Sequence, residues 1–380
     1  MIKTDRLKKF QQTLAKSEMA GALLSYSRDI YYYTGTTQPG YLAVLPDDYL
    51  LFLRNGLSFA RREVFIDPAK VLEEPRLERI AEWGLPQLKT RCLGTETDFL
   101  SANQVDKIRR AFGGLTIVDV SPRILEQRQG KDPEELECIR EACRAIDEGH
   151  RAVMAGLRAG MTELELAAAV ERAHRLAGHE GTFFFRQPGF FMGTGPLASG
   201  PNLLQLSGVL LSLTGAGLSP AMPIGPSRRI IQRGDTVLVD IPTLVRGYHA
   251  DQTRTYTVGK APETARRMFA ALKTISDHLI ERIRPGMEAA EIYRMAVEKS
   301  VALGVADLFL NLGQGRKTHL VGHGCGLECN EPPFLSARDR SRLPEDVVVT
   351  IELHLLDDVQ GAVKLEDMIR VGRQGNEILN

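Results

Sequence analysis

The sequence has little net charge and lacks a long apolar run. Lys+Arg and Asp+Glu are equal at 48 each, so no overall field would draw the chain to nucleic acid or to an anionic membrane. No window approaches the roughly 18 uninterrupted apolar residues of a membrane span, and residues 1–20 lack the apolar stretch of a signal peptide. We therefore expect a cytoplasmic protein that binds neither nucleic acid nor membrane.

Cysteines are also few and odd in number. Their spacing does not match a zinc knuckle, and such a set is typical of reduced thiols in a cytoplasmic protein; the five are Cys92, Cys138, Cys143, Cys325 and Cys329. We interpret Cys325 and Cys329 as packing residues. The 380 residues are 43% hydrophobic, which is ordinary for a globular protein and long enough for two domains.

Residues 1–124 predict a mixed α/β domain. It begins with an amphipathic helix over residues 1–17 and a short strand over residues 21–26, and residues 30–33 are rich in tyrosine, which favours a strand. Residues 41–45 and 49–53 predict a hairpin, and helical patches then alternate with short apolar runs. Since no cluster with ligand-like spacing occurs here, we expect a scaffold or dimerisation domain.

Residues 125–380 predict a second domain that contains an internal duplication. A polar stretch ends at Pro133 and opens a helix from about Glu134 to Leu157. Arg-Ala-Gly-Met at residues 158–161 and Arg-Pro-Gly-Met at residues 284–287 each follow a long helix and precede a shorter one. Because the order of elements agrees in the two halves, a duplication is favoured over chance.

One segment, residues 236–256, carries two carboxylates in a strand-rich context. Asp240 ends an apolar run, and Asp251 follows beyond a Gly-containing bend. A hairpin turning at residues 244–247 would place the two side chains opposite one another, directly or one pair out of step. Like charges in such a ladder repel, and a divalent cation is the simplest counter-charge. The segment therefore predicts half of a metal site.

The second half of the duplication predicts a matching hairpin. Residues 347–353 and 361–371 read as strands that bracket a polar turn, with Glu352 and Glu366 placed in them much as Asp240 and Asp251 are placed in the first hairpin. A Gly- and His-rich stretch lies before them, and His323 could present a ring nitrogen to the same centre. Four carboxylates and one imidazole form an oxygen-rich set that favours Mn²⁺, Fe²⁺, Co²⁺ or Zn²⁺.

These pieces resemble the pita-bread metallopeptidases, the family of methionine aminopeptidase, aminopeptidase P, prolidase and creatinase. The resemblance covers nearly the whole chain. It implies an α+β protein in which a creatinase-type N-terminal α/β domain precedes a pseudo-two-fold pita-bread catalytic domain, and it implies a homodimer. The segments that carry it are Val239-Asp240, Gly247-Tyr-His-Ala-Asp251, Gly322-His-Gly-Cys-Gly326, Thr350-Ile-Glu352 and Leu365-Glu-Asp367.

The resemblance also implies a dinuclear site for two divalent ions, of which Mn²⁺ is the first expectation. Asp251 and Glu366 would bridge the ions, and Glu352 would bind metal and shuttle a proton. Two such ions lower the pKa of a bridging water and polarise a scissile carbonyl, which gives a peptidase acting on Xaa-Pro bonds through a metal-bridging hydroxide. The implied ligands are Asp240, Asp251, His323, Glu352 and Glu366.

The chain departs from the family pattern around the substrate. Active relatives carry a histidine seven residues after the Gly-His-Gly histidine; here that position is Asn330. A second histidine, expected before the first hairpin, is missing from residues 219–227. Asn330 can still donate a hydrogen bond but cannot deliver a proton. We expect substrate contacts from Asn330, His249, His354 and Arg186, and a pocket wall from residues 182–218.

Three hypotheses therefore remain open. The first is an Xaa-Pro dipeptidase or aminopeptidase, based on the five ligands. The second is hydrolysis or lyase chemistry by the same metals on a small non-peptide substrate, based on the missing histidines. The third is a binding protein that kept the fold and lost catalysis, and the intact ligand set counts against it.

Overall fold

The computed structural model describes residues 4–84, 86, 88 and 90–380. The chain divides into two compact units, Met1–Arg128 and Gln129–Asn380. The predicted N-terminal helix is present, although residues 1–3 of the predicted span lie outside the described residues. Among the described residues, no helix is both long and apolar enough to cross a membrane.

The first unit alternates helices with the strands of one sheet. Its strands are ordered β4-β3-β2-β1-β5-β6; β1, β2 and β3 run antiparallel, while β4, β5 and β6 pair with their neighbours in parallel. The elements are α1 (Thr4–Ala15), β1 (Gly21–Leu24), α2 (Ser27–Thr34), β2 (Gly40–Val44), β3 (Tyr49–Leu53), α3 (Leu57–Glu63), a 3₁₀ turn (Pro68–Lys70), β4 (Val71–Glu73), α4 (Leu77–Gly84), β5 (Cys92–Thr95), α5 (Ala102–Ala111), β6 (Thr116–Asp119) and α6 (Ser121–Gln129).

The prediction of a strand at residues 30–33 is wrong, because these residues belong to helix α2. Ile30 and Tyr33 lie three residues apart on one helix face and are buried, and Tyr33 stacks on Phe10 with ring centroids 5.1 Å apart. Gly35 ends the helix with φ 90°, the left-handed cap conformation that glycine adopts at low cost. Packing of the aromatic face outweighs the strand preference of tyrosine.

The second unit begins with two helices and is then built around an eight-stranded sheet. The sheet has the order β13-β12-β14-β15-β11-β8-β7, and β16 also pairs with β15. The elements are α7 (Pro133–Gly156), α8 (Glu163–Leu176), β7 (Leu197–Ser199), a 3₁₀ turn (Gly200–Leu204), β8 (Thr236–Asp240), β9 (Thr243–Val245), β10 (Tyr248–Ala250), β11 (Thr253–Thr257), α9 (Glu263–Arg282), α10 (Ala289–Ala302), β12 (Leu320–Gly324), β13 (Glu331–Ser336), β14 (Val348–Asp357), β15 (Gly361–Arg370) and β16 (Glu377–Ile378).

Local signals in the sequence explain where the first two helices of this unit begin. Asp132 caps α7, with Pro133 in the first turn, and Thr162 forms a capping box with Glu165 at the start of α8. Two helix pairs, α7 with α8 and α9 with α10, each precede strands that contribute to the same sheet. The predicted helices of the duplicated pattern are therefore confirmed; common ancestry of the two halves stays a prediction.

The predicted hairpin at residues 236–256 consists of two short ladders. β8 pairs with β11, and β9 pairs with β10 around a turn at Arg246 and Gly247, whose φ angles are 51° and 78°. Positive φ at both central residues is typical of the type I′ turn. The second predicted hairpin is continuous: β14 and β15 form ten successive pairs from Val348↔Arg370 to Asp357↔Gly361.

The expected pairing of Asp240 with Asp251 is wrong in register. Asp240 lies opposite Thr253, so Asp251 is displaced from it by two residues. The ladder is interrupted next to Asp240, where Pro242 has no N–H to donate. Asp251 therefore lies in the bend between the two ladders rather than within one.

His174 lies where α7 and α8 pack together, and it is 2% exposed. An ideal Cβ atom on Gly149 of α7 would come within 2.0 Å of the His174 Nε2 atom, so this close approach requires glycine. Burial, and then the charge of His179, lowers the pKa of His174 to about 4. The folded chain therefore holds this imidazole neutral well below the pH at which a free histidine ionises.

We expect this histidine to make folding acid-sensitive. Because its pKa is lower in the folded chain than in the unfolded chain, the unfolded state binds the proton first, and stability falls by about 1.4 kcal/mol per pH unit between about pH 6.5 and 4. A His174→Gln variant should lose that part of the slope in urea unfolding measured from pH 7.5 to 4.5. Above about pH 7 the free energy of unfolding should change with pH in the same way for both proteins. Equal slopes of this free energy against pH below pH 6 would contradict the expectation.

Candidate metal centre

The structure brings the five predicted ligands together in two overlapping groups. Possible ligand atoms of Asp251, His323 and Glu366 all lie within 4.8 Å of one another, and the same is true of Asp240, Glu352 and Glu366. Glu366 is common to both groups. The two groups draw on the bend before β11 and on four strands of the sheet, β8, β12, β14 and β15.

Strand register explains why these residues meet. Glu352 of β14 is the direct partner of Glu366 of β15, and Thr253 of β11 pairs with both Glu366 and Asp240. Gly195 packs directly against the backbone of Asp240. An ideal Cβ atom on Gly195 would come within 1.9 Å of the Asp240 carbonyl oxygen. Glycine is therefore required beside this ligand.

Hydrogen bonds fix the orientation of the carboxylates. The Thr253 hydroxyl donates to Glu366 Oε2 over 2.8 Å, and the Ser212 hydroxyl donates to Glu352 Oε1 over 2.9 Å. The Cys329 thiol donates to Asp251 Oδ2 over 3.2 Å. Each of these neighbours constrains one oxygen and leaves the other available to a cation, which is how partners of metal ligands act.

His323 is held in the tautomer that suits a metal ligand. Its Nδ1 atom lies 3.0 Å from the carbonyl oxygen of Gly324, which can only accept, so Nδ1 carries the proton. Nε2 then presents its lone pair to the cluster, 3.8 Å from Glu352 Oε2 and 3.9 Å from Glu366 Oε1.

Two buried carboxylate oxygens of the first group find no donor among the described residues. They are Asp251 Oδ1 and Glu366 Oε1. A buried acceptor without a partner is costly, and here both belong to the group that also contains His323. A divalent cation would satisfy both oxygens, and the carboxylate–imidazole set suits Mn²⁺, Fe²⁺, Co²⁺ or Zn²⁺. The residues present therefore fit a divalent metal ion.

The second group already contains a positive charge. The Lys364 ammonium contacts Asp240 Oδ2, lies 2.6 Å from Glu352 Oε1 and 3.8 Å from Glu366 Oε2, and the side chain is 1% exposed. Although burial alone would lower the pKa of Lys364, the Asp240 and Glu352 charges raise it well above its usual value. The lysine is therefore held as an ammonium ion.

Burial and repulsion act on the carboxylates of the first group. Burial, and then the charges of Asp251 and Glu352, raise the pKa of Glu366 well above its usual value. Burial also raises the pKa of Asp251, and nearby His323 and Lys364 oppose this. One lysine therefore does not neutralise four carboxylates, three of which are buried, and the cluster needs further positive charge.

A cavity of about 230 Å³ opens onto these groups. The predicted wall segment, residues 182–218, contributes to it through two stretches, and Asn330 also lines it. The lining residues outside the five ligands and Lys364 are mostly apolar: Phe185, Gln187, Met192, Pro196, Val209, Leu210, Leu211, Ser212, Pro242, Leu320, Cys329 and Asn330.

Three predicted substrate contacts are not among the described residues that line the cavity. Arg186 lies 3.7 Å from the buried Glu328 carboxylate. His249 uses both ring nitrogens, since Nε2 accepts from the Phe184 N–H and Nδ1 lies 3.0 Å from a carbonyl oxygen. His354 bonds the Asn311 carbonyl oxygen. These groups hold loops in place rather than facing the cavity.

The sequence reasoning missed Lys364, Ser212 and Cys329 as neighbours of the ligands. Lys364 had a usable signal, because it lies two residues before Glu366 and so on the same face of the strand. Ser212 had none, since it reaches Glu352 from a loop 140 residues away in the chain. Cys329 was interpreted as packing, and it is buried, but its thiol also contacts a ligand.

Sequence comparison gives matches over both units. Residues 137–373 match the sequence model of Metallopeptidase family M24, and residues 6–129 match that of the Creatinase/Prolidase N-terminal domain. The Xaa-Pro dipeptidase of Pyrococcus furiosus is 26% identical over 375 residues, which cover 98% of this chain and 96% of the relative. The Xaa-Pro dipeptidase of Pyrococcus horikoshii is 25% identical over 382 residues, which cover 100% of this chain and 97% of the relative.

Comparison with solved structures finds relatives of the same kind as the sequence comparison. The solved structure of the prolidase from Pyrococcus furiosus superposes with a TM-score of 0.80 at 27% identity, covering 97% of this chain and 98% of that one. The prolidase from Pyrococcus horikoshii OT3 has the same fold, with a TM-score of 0.80 at 24% identity over 99% of this chain and 97% of that one.

Proposed function

The chain belongs to metallopeptidase family M24, and from this premise we propose that it cleaves Xaa-Pro bonds, as a dipeptidase or an aminopeptidase. The predicted family, the α+β fold class with its creatinase-like first domain, and the assignment as a metallopeptidase are confirmed. The observation that carries the proposal is the buried group of Asp251, His323 and Glu366 with its two unsatisfied carboxylate oxygens. The choice of bond follows the two Xaa-Pro dipeptidases that resemble the chain.

We propose that the metal ligands are drawn from the five predicted residues, Asp240, Asp251, His323, Glu352 and Glu366, with Asp251, His323 and Glu366 at the centre of the set. When bound, divalent ions in such a centre lower the pKa of a water molecule and polarise the scissile carbonyl. Glu352 lines the cavity and is oriented by Ser212, so it is placed to take a proton from the attacking water and return it to the leaving nitrogen. The amide of Asn330 is placed to donate a hydrogen bond to the substrate.

The cavity favours peptides longer than two residues. A dipeptide carries a free carboxylate next to the scissile bond, which needs a cationic partner. Among the described residues that line the cavity, Lys364 is the one lysine and there is no arginine. Its ammonium is engaged by Asp240 and Glu352. Within the Xaa-Pro class, a longer peptide avoids placing an unpaired carboxylate beside four others.

A panel of peptides tests the proposal. We expect the purified chain, loaded with Mn²⁺ or Co²⁺, to release the first residue of Xaa-Pro peptides of three or more residues faster than it cleaves the matching dipeptides. Peptides with alanine in place of proline provide the control, and products are measured by chromatography. If no Xaa-Pro peptide of either length is cut with either metal, the peptidase proposal is rejected.

A second candidate, hydrolysis or lyase chemistry on a small non-peptide substrate, is favoured by Asn330. This residue lines the cavity, at the position where the family resemblance implies a histidine, and an asparagine cannot deliver a proton from that side. Mn²⁺ as the metal, a homodimeric state and a cytoplasmic location stay predictions. The five cysteines are free thiols in this structure, and their reduced state in the cell stays a prediction.

A further inference from the structure

Lys364 lies within one of the two groups of possible metal ligands. If each group held one ion, the group of Asp240, Glu352 and Glu366 would be one of the two cation positions. The Lys364 ammonium lies against the same three carboxylates, with its nearest contacts to Asp240 Oδ2 and Glu352 Oε1. The ammonium therefore already neutralises part of the negative charge that a second ion would bind.

The two groups differ in whether their carboxylate oxygens already have a donor or a positive charge beside them. In the group of Asp251, His323 and Glu366, two buried oxygens have no donor among the described residues, and the histidine presents a lone pair. In the group with Lys364, Glu352 Oε1 also accepts from Ser212. One group therefore requires a cation, while the other already has one.

Resting on the proposed metal-dependent function, we propose that the centre holds a single divalent ion, bound by Asp251, His323 and Glu366, and that the Lys364 ammonium takes the second cation position. Formal charges agree with this arrangement. Four carboxylates and one ammonium carry a net charge of −3, which one divalent ion brings to −1 and two would bring to +1. A second ion would also have to displace the ammonium or bind beside it against like-charge repulsion.

The placement of Lys364 makes displacement costly. The side chain is 1% exposed, and it lies on β15 opposite the buried His354. An ammonium leaving the three carboxylates would stay buried without a counter-charge, which is strongly unfavourable. The Lys364 side chain is therefore a buried part of the site and not a flexible surface group.

The stoichiometry of Mn²⁺ tests the proposal without any substrate. The full chain is stripped with a chelator, titrated with Mn²⁺, and examined by metal analysis and by electron paramagnetic resonance. We expect one ion per chain and the six-line signal of an isolated ion. Lys364→Met should bind a second ion and show the signal of an exchange-coupled pair, whereas Lys364→Arg, which keeps the charge, should stay at one.

Lys131→Met provides the matched control. Lys131 is another lysine with a 1% exposed side chain, paired with Glu331 over 2.8 Å outside the ligand groups, so its removal should leave the count at one. Two ions in the unaltered chain with affinities within about tenfold of each other, or a single ion in folded Lys364→Met, would overturn the proposal. The number of Mn²⁺ ions bound by the unaltered chain tests the proposal even if Lys364→Met does not fold.

The same titration separates this inference from the proposed function. One bound Mn²⁺ without cleavage of any Xaa-Pro peptide would reject the peptidase proposal and leave the single-ion inference standing. Two bound ions with efficient cleavage would reject the single-ion inference and leave the peptidase proposal standing. A chain that binds no ion would reject both.

Discussion

Replacing Glu366 by glutamine is expected to abolish metal retention and to lower kcat/KM for peptide cleavage by at least about three orders of magnitude. Glu366 is the one ligand shared by both groups, and its Oε1 atom has no donor among the described residues. An amide is a weak ligand for a divalent ion, so several kcal/mol of transition-state stabilisation are lost, at 1.36 kcal/mol for each factor of ten. Metal analysis and initial rates measure the two effects.

Stability measurements should show that this loss is not unfolding. The metal-free Glu366→Gln protein is expected to melt at a higher temperature than the metal-free unaltered chain, because one of four mutually repelling carboxylates, itself buried, is gone. Added Mn²⁺ should raise the melting temperature of the unaltered chain only, since ligand binding stabilises the state that binds it.

Glu163→Gln is the matched control for removing a buried carboxylate. Glu163 is fully buried, but it accepts hydrogen bonds from Ser199, Asn202 and Ser227. Its replacement should therefore lower stability and leave the metal content unchanged. Full metal content in Glu366→Gln would contradict the proposed ligand set.

The sequence predicted which five side chains cluster because its signal is local and chemically unusual. Carboxylates in strands that are otherwise apolar, such as Glu366 in β15, have few explanations besides a cation. Glu352 and Glu366 were placed in one hairpin from two strand-like runs around a polar turn and from the match to the first half, and the structure pairs them directly. Caps and turns, such as Thr162 with Glu165, also lie within a few residues and were readable.

What the sequence could not predict depends on contacts between distant segments. Residues 30–33 were assigned to a strand because tyrosine favours strands, whereas packing of Tyr33 on Phe10 decides for a helix. The position of Asp251 depends on a ladder that breaks at residues 241–242. His249 lies two residues from a ligand, yet its ring nitrogens bond the backbone of other loops. The spacing of residues along a strand predicts on which face of the sheet a side chain lies. It does not predict which group the side chain contacts on that face.

Changes at Asn330 are expected to move the peptidase rate in both directions. Asn330→Ala should lower kcat/KM for Xaa-Pro peptides by about 10²-fold, since one positioned donor is worth that much. Asn330→His should raise it by about 10²-fold, because an imidazole donates a hydrogen bond and can also deliver a proton. Steady-state kinetics on one Xaa-Pro tripeptide measures both.

The backbone around Asn330 is fixed, so these variants report on the side chain. The Cys329 N–H donates to the Phe184 carbonyl oxygen over 2.9 Å, and Glu331 pairs with Lys131. If the side chain acts in the transition state, kcat and kcat/KM should fall together in Asn330→Ala. Asn330→Asp is the matched control, because its carboxylate is similar in size but cannot donate, and it should be as slow as alanine. A histidine that leaves peptide cleavage unchanged while any non-peptide activity falls would favour the second candidate, since a site adapted to another substrate gains nothing from a peptidase donor.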